Sequence, residues 1–276
     1  MMCKNTNFSP FRNLISKLIT IFVAELTTFL KMISKNQLKF VRQLEQKKYR
    51  RREGLFVAEG TKVVGDLLAR YEPHSVFATP DWQAPAGITP QIVTPDELQR
   101  LSFQQHPQQV LALFPLPNDK PLSVGGGLSL GLDGVQDPGN LGTIIRIADW
   151  FGISTIVCSP DTADAWNPKV VQATMGSIAR VNIYYIDIPA LLDSLPQDFP
   201  VYGTFLDGQN IYTQQLSPTG LIIMGNEGNG ISDAVRQRVS HRLLIPDFHQ
   251  GATADSLNVA IATAITCSEF RRRHIK

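Results

Sequence analysis

The chain has 276 residues, enough for one large or two modest domains, and its 43% apolar content is that of a globular protein with a full core. A net charge of only +2 means that affinity for a charged partner must come from local clusters rather than from bulk charge. Cys3, Cys158 and Cys267 are odd in number and scattered, which argues against a disulfide framework or a thiolate metal site and for a reducing, cytoplasmic setting.

In chain order, residues 1–31 contain the apolar run "LITIFVAEL" after Lys17. Glu25 interrupts it, no small-x-small cleavage site follows, and it falls short of the roughly 20 apolar residues of a spanning helix. We expect residues 1–31 to be a dispensable extension, non-native or disordered, with Met32 as the natural start. From Lys35 to Arg52 the bases Lys35, Lys39, Arg42, Lys47, Lys48, Arg50, Arg51 and Arg52 face a single acid, Glu45. Leu38, Val41 and Leu44 sit at helical spacing, so this stretch reads as one basic helix stopped by Gly54. Such a run suits a phosphate-rich surface, although any one basic run can simply be a solvated helix face. "LFVAEG", "SVFATP", "QIVTP" and "QQVLALFPLP" read as strands, and "TKVVGDLLARY" and the Pro95-led "PDELQRLS" as helices. Residues 32–115 therefore form a small α/β unit, followed by a Pro- and Gly-rich linker over 116–125.

Over 126–276 the alternation repeats on a larger scale. "LSLGLDGV", "ISTIVCSP", "VNIYYID", "PVYGTFLDG", "GLIIMGNEG" and "HRLLIP" read as strands. "NLGTIIRIADWFG", "NPKVVQATMGSIAR", "IPALLDSL" and "SLNVAIATAITCSEFRRR" read as helices. Alternation of this kind predicts a parallel α/β sheet whose ligands sit at the carboxyl ends of the strands.

Three constellations carry the chemistry. In "DPGNLGTIIRIADWFG", Asn140 is a candidate N-cap, Gly152 a stop, and Ile144, Ile147 and Phe151 share a face from which Arg146 departs towards Asp149. Alone, Arg146 reads as a surface residue; beside a strand end it is a guanidinium available for phosphate. In "LIIMGNEGNGIS", Gly225, Gly228 and Gly230 permit close backbone approach or positive φ, and Glu227 can accept bonds from a ligand or orient a catalytic group. The glycine order is neither the dinucleotide fingerprint nor a phosphate loop. In "RLLIPDFHQGATADSLNVAIATAI", a strand ends at Ile245-Pro246 and a helix is expected to start near Asp255 or Ser256. Ser256 reads alone as a cap, Asn258 as a polar first-turn residue, and Ala260, Ala262 and Ala264 permit tight packing.

Taken together in this order, the motifs resemble the SpoU (TrmH) branch of the SPOUT methyltransferases, which methylate ribose 2′-hydroxyls in RNA. The residues that carry the likeness are Asn140–Gly142 with Arg146, "IIMGNEGNGIS", and "IP" followed by "SLNVAIATAI", over about 125–270. "LEQKKYRRREGLFVAEGTKVV" is similar to the substrate-binding domain that precedes many such catalytic domains. The resemblance implies a parallel sheet with a deep trefoil knot, a homodimer, and S-adenosylmethionine held by Thr204, Gly225, Ile245 and Leu257. It implies Arg146, Asn140, Glu227, Ser256 and Asn258 as the active-site set, Arg146 acting as base or as phosphate-bound activator. It further implies an RNA substrate, ribosomal in preference to transfer RNA, contacted by Lys47, Lys48, Arg50, Arg51 and Arg146, with no metal and no membrane. The loop "DFHQGATAD" is longer than the family's usual form; its His249, without a visible partner, reads as solvated. Two other classes compete. A non-catalytic RNA-binding scaffold would not need the intact polar set, and a dinucleotide enzyme would need its glycine fingerprint after the first strand.

Overall fold

The computed structural model describes residues 32–117, 121–249 and 255–274. The expectations for residues 1–31 and for the centre of the loop at 250–254 lie outside the described residues.

The basic stretch forms two helices, α1 (Lys35–Gln43) and α2 (Lys47–Glu53), rather than one. A Ser34–Gln37 capping box opens α1. The chain breaks after Leu44, and Gly54 ends α2 in the left-handed region at φ 67°. Then follow β1 (Leu55–Glu59), α3 (Thr61–Leu68), β2 (Ser75–Ala78), β3 (Gln91–Ile92), α4 (Pro95–Leu101) and β4 (Val110–Pro115). Thr94 and Glu97 form a second capping box at α4, and Pro95 sits in its first turn. The four strands make a sheet of order β1-β4-β2-β3, antiparallel except for β2–β3.

The second half contains β5 (Leu128–Asp133), α5 (Pro138–Trp150), β6 (Thr155–Cys158), α6 (Pro168–Ala173), β7 (Asn182–Tyr185) and α7 (Ile188–Ser194). It continues with β8 (Val201–Asn210), β9 (Gly220–Gly225), α8 (Asp233–Arg236), β10 (His241–Leu244) and α9 (Val259–Arg272). The single helix expected over 167–180 is α6 followed by one 3-10 turn, Ser177–Ala179. Met175 at φ 51° and Gly176 at φ 91° separate them, because no α-helix continues through left-handed backbone. The sheet order is β10-β8-β9-β5-β6-β7, parallel throughout. β5 and β9 are central, in register from Leu128↔Gly220 to Asp133↔Gly225, and covered on both faces, which suits the apolar run of β9 and leaves Ser129 as a buried polar side chain in β5. From β5 the chain winds one way to β6 and β7, while β8 and β10 lie on the other side of β9. The β5–β9 junction is therefore the place where a parallel sheet opens a ligand crevice.

On α5 the fully buried face is Leu141, Ile144, Ile145 and Ala148; Ile147 and Phe151 are only partly covered. α9 returns across α5. Arg271 donates to the carbonyls of Phe151 (2.7 Å) and Gly152 (3.1 Å) at its C-terminal end, and Phe270 meets Tyr202 edge-on at 4.8 Å. Arg273 donates to the carbonyls of Ile211, Tyr212 and Gln214 and, with Arg272, pairs with Glu269. Most of this terminal basic cluster is thus spent on the fold rather than held out to phosphate.

The two sheets share a core. Phe56, Val63, Val64 and Leu67 pack with Val171, Ile178 and Ala179, and Phe56 meets Trp166 at 4.8 Å. Arg50 is 2% exposed; it bonds Asp164 and the carbonyls of Leu44 (2.8 Å) and Glu45 (2.6 Å). Arg50 is therefore a buried strut, not the RNA contact expected of it, because a guanidinium with no solvent face cannot meet a phosphate. Arg180 spans Asp66 (3.0 Å) on α3 and Asp149 (2.8 Å) on α5. Removing one partner of a buried ion pair strands the other. Arg50→Ala is expected to lower unfolding free energy by about 3 kcal/mol in urea titrations, with a much smaller loss for the exposed Arg51→Ala.

Candidate active site

Three loops converge at the carboxyl ends of the central strands. The first runs from β5 into α5. Its N-cap is Asp137, whose side chain accepts from the Asn140 N–H at 2.7 Å. Asn140 is thus the third residue of the helix and not the cap, and Pro138 fills the first turn. Capping by Asp137 leaves the Asn140 amide free for other partners.

The second loop follows β9. The Gly225 backbone packs against the loop itself: a Cβ there would lie 2.2 Å from the carbonyl carbon of Gly230. Close approach is made to the protein's own chain, closing the Asn226–Gly230 bridge. Asn226 donates to the Gly134 carbonyl at 2.7 Å and accepts from the N–H groups of Gly228 and Asn229. That lock holds Glu227 over the start of α5. Glu227 accepts from the N–H groups of Gln136 (3.1 Å) and Asp137 (3.2 Å) and from the Asn140 amide (3.0 Å).

The third segment precedes α9. The helix begins at Val259, four residues later than the earliest start expected, and its cap is Asn258. The Asn258 carbonyl oxygen accepts from the N–H groups of Ala260 (2.9 Å) and Ile261 (3.3 Å), and its amide donates to Asn140 Oδ1 at 2.9 Å. A carboxylate can only accept and backbone N–H groups can only donate. Together they fix both amide orientations in one chain: Asn258 to Asn140 to Glu227.

The remaining expected residues are placed as follows. Ser256 lies exposed two residues before that cap and makes no hydrogen bond among the described residues. Arg146 is exposed on α5, six residues beyond Asn140, and is unpaired among the described residues. It does not pair with Asp149, which Arg180 holds through both carboxylate oxygens (3.1 and 2.9 Å). Thr204 lies in β8 with its hydroxyl 3.8 Å from the Met224 sulfur; Gly225 ends β9, Ile245 follows β10, and Leu257 precedes α9. Thr204, Gly225 and Ile245 belong to or follow β8, β9 and β10, which are neighbours in the sheet. Ile245 is half-buried and Leu257 is 50% exposed, leaving apolar surface there. Lys48 and Arg51 are exposed on α2, while Lys47 lies over the Tyr185 ring at 5.5 Å. His249 is exposed, its N–H bonded to Asp247 at 2.8 Å.

Asp137, Gln136 and Asn226 escaped the sequence reading. The Asp137-Pro138 pair was the available signal for the first, since proline in the first turn places the cap immediately before it. Among the described residues no group of His, Cys, Asp or Glu could hold a metal, and no helix is long and apolar enough to cross a membrane.

The fold and this strand-end cluster point to a class, RNA methyltransferases of the SPOUT type. A sequence model of the SpoU rRNA Methylase family matches residues 127–268, and one of the MRM3-like substrate binding domain matches 35–112. The chain belongs to the SpoU rRNA methylase family. It is 32% identical over 248 residues to the 23S rRNA (guanosine(2553)-2'-O)-methyltransferase RlmP of Bacillus subtilis, covering 86% of this chain and 97% of that one. A TrmH-family structure from Porphyromonas gingivalis superposes with a TM-score of 0.78 at 43% identity, covering 88% of this chain and 99% of the other. An AdoMet-bound rRNA methyltransferase from Sinorhizobium meliloti gives 0.76 at 30% identity, covering 89% and 99%.

Burial favours the neutral form of Glu227, but the hydrogen bonds from Asn140 and from the backbone N–H groups of Glu227, Gln136 and Asp137 outweigh it and hold the carboxyl below its ordinary 4.5. A depressed folded pKa contributes stability that is present above the unfolded value and lost as pH falls through the folded one. Glu227→Gln is therefore expected to flatten the acid limb of the stability profile below pH 4.5, measured by urea unfolding between pH 3 and 6. An unchanged acid limb would remove Glu227 as the ionised anchor of the cluster.

Proposed function

We propose that this protein transfers a methyl group from S-adenosylmethionine to a ribose 2′-hydroxyl of RNA, with ribosomal RNA preferred to transfer RNA. The observation that carries this reading is the Asn258–Asn140–Glu227 chain at the carboxyl ends of β9, β5 and β10. The chemistry of the neighbouring rim fits the cofactor: Ile245 and Leu257 offer apolar surface to a nucleoside, and the Thr204 hydroxyl is held only by a long sulfur contact among the described residues. Once bound, the cofactor supplies a methyl on a sulfonium whose leaving group is a neutral thioether.

The protein's own residues must then align the attacking oxygen and carry the charge that develops on it. Glu227, ionised at neutral pH, fixes the Asn140 amide, and Asn140 in turn fixes Asn258 at the mouth of α9. Ser256, exposed beside that cap, is available to the ribose or the cofactor. An arginine guanidinium is a permanent cation and a poor base, so we assign Arg146 to holding the RNA phosphate and stabilising the 2′-oxygen as its proton passes to water. A scaffold without activity would have no use for an intact relay of this kind.

In this reading residues 32–115 bind the RNA, 116–125 link, and 126–276 catalyse, through the knotted path expected of the family. Lys47, Lys48 and Arg51 remain the RNA contacts on α2. The enzyme works in the cytoplasm as a homodimer. Trp150, 85% exposed on α5, and Ile261, 53% exposed on α9, are large apolar side chains that a dimer contact would cover.

Arg146→Ala is expected to lower methyl transfer to ribosomal RNA by at least about a hundredfold while leaving S-adenosylmethionine affinity within about twofold, measured by radiolabel transfer and calorimetry. Near-normal turnover would take Arg146 out of the mechanism.

A further inference from the structure

Outside the strand-end cluster, an open cleft of about 520 Å³ lies between α1 and α4. Its walls carry two guanidiniums, Arg42 and Arg100, the amides of Gln99 and Gln104, and the Phe103 ring, with no carboxylate among them. Glu59 and Glu97 are already engaged, and Asp96 is exposed in the first turn of α4. Glu59, 5% exposed, accepts from the Ser102 hydroxyl and from the Phe103 N–H at 2.9 Å. Glu97 accepts from Thr94 and from the Ile33 N–H. The cleft is thus cationic, and its size lies within the range of small-ligand sites.

We propose that this cleft is a subsite for one unpaired nucleotide of the RNA substrate. The proposal rests on the reading of the protein as an enzyme acting on RNA. Three features match three parts of a nucleotide. Arg42 lies over the Phe103 ring at 4.8 Å and donates to the Ser102 carbonyl, so its guanidinium plane is held and its outer face is open to a base. Bases splayed from single strands stack on such planes. Arg100, exposed in the last turn of α4, meets phosphate. The Gln99 amide donates to the Gln104 carbonyl at 3.4 Å and the Gln104 amide to Gln172, so each keeps one N–H and its amide oxygen for a base edge.

The wall is preorganised and tied to the catalytic half. Ser102 accepts from the Gln104 N–H at 2.9 Å, and the Gln104 amide donates to Gln172 on α6 at 3.0 Å. A nucleotide seated here would therefore have a fixed relation to the sheet that carries Asn140 and Arg146. A paired base is excluded by geometry, since its edge and both faces are already covered within the duplex.

The test uses the full chain and two fluorescent probes, a single-stranded (A)8 RNA and a hairpin duplex of similar length, read by anisotropy. Arg42→Gln and Phe103→Ala are expected to weaken (A)8 binding about tenfold. Arg100→Gln, which breaks no hydrogen bond among the described residues, is expected to weaken it several-fold at unchanged melting temperature. No variant should alter S-adenosylmethionine affinity. Failure of the wild type to bind (A)8, equal affinity for the duplex, or unchanged (A)8 affinity in both folded Arg42→Gln and Arg100→Gln would overturn the proposal. The binding readout needs no turnover. A wild-type protein that binds (A)8 through Arg42 but methylates no ribosomal RNA refutes the methyltransferase reading and leaves the subsite standing.

Discussion

The site depends on one hydrogen-bonded chain whose direction is set at both ends. At one end the Glu227 carboxylate accepts and never donates; at the other the α9 N–H groups of Ala260 and Ile261 donate and never accept. Asn140 and Asn258 between them have a single consistent orientation. The links join residues 87 and 118 positions apart in the chain, so they tie three separate segments into one surface. Neither asparagine can be replaced by aspartate without setting acceptor against acceptor. Polar networks of this sort specify a structure only when every member is satisfied, and the Asn226 lock and the Asp137 cap satisfy the backbone around it.

The scaffold beneath that surface is rigid for a related reason. α6 stands between the two sheets, packing its Val171 into the core shared with Phe56 and Val63. Beside it, Arg50–Asp164 and Asp66–Arg180–Asp149 cross the same joint. An interface that buries an arginine and an aromatic cluster does not behave as a hinge. The small sheet is therefore held at a set angle to the active-site loops. Under the function proposed above, that fixed angle would set the reach between bound RNA and the methyl donor.

Much of this was legible in the sequence, and the exceptions have physical reasons. The central strands were visible because parallel strands covered on both faces are predominantly apolar, as Leu221–Met224 is throughout and Leu128–Leu132 is apart from Ser129. The helix over 167–180 was not seen to break because nothing in the identity of Met175 announces a positive φ; tertiary packing imposes it. The same limit applies to "KKYRRRE". Five basic side chains in seven residues are equivalent as a string, and only the position of Asp164, 114 residues on, selects Arg50 to turn inward. At the site, Asn140, Glu227 and Asn258 were found as types at the right spacing, but the caps were misplaced at two helices. Asp137 and Asn258 won those roles from Asn140 and Ser256 because capping is decided by backbone dihedrals at the loop exit, which composition alone does not fix.

Arg146 shows how structure can reserve a charge. A helical arginine three residues before an aspartate ordinarily has a partner close at hand, and an i, i+3 pair with Asp149 would be the default. Here Arg180, at the end of the 3-10 turn, takes both oxygens of Asp149 and is itself held by Asp66. Many arginines of the described chain, among them Arg50, Arg180, Arg236, Arg238 and Arg271, are bound to a carboxylate or a carbonyl. Arg146 is left on the exposed side of a helix whose first turn is fixed by Asp137 and Glu227. An anchored helix carrying an unneutralised guanidinium loses little further freedom on meeting an anion, so more of the contact energy is retained as positioning. The triad Asp66–Arg180–Asp149 therefore has two effects at once: it joins the halves of the molecule, and it leaves the charge of Arg146 without a carboxylate partner.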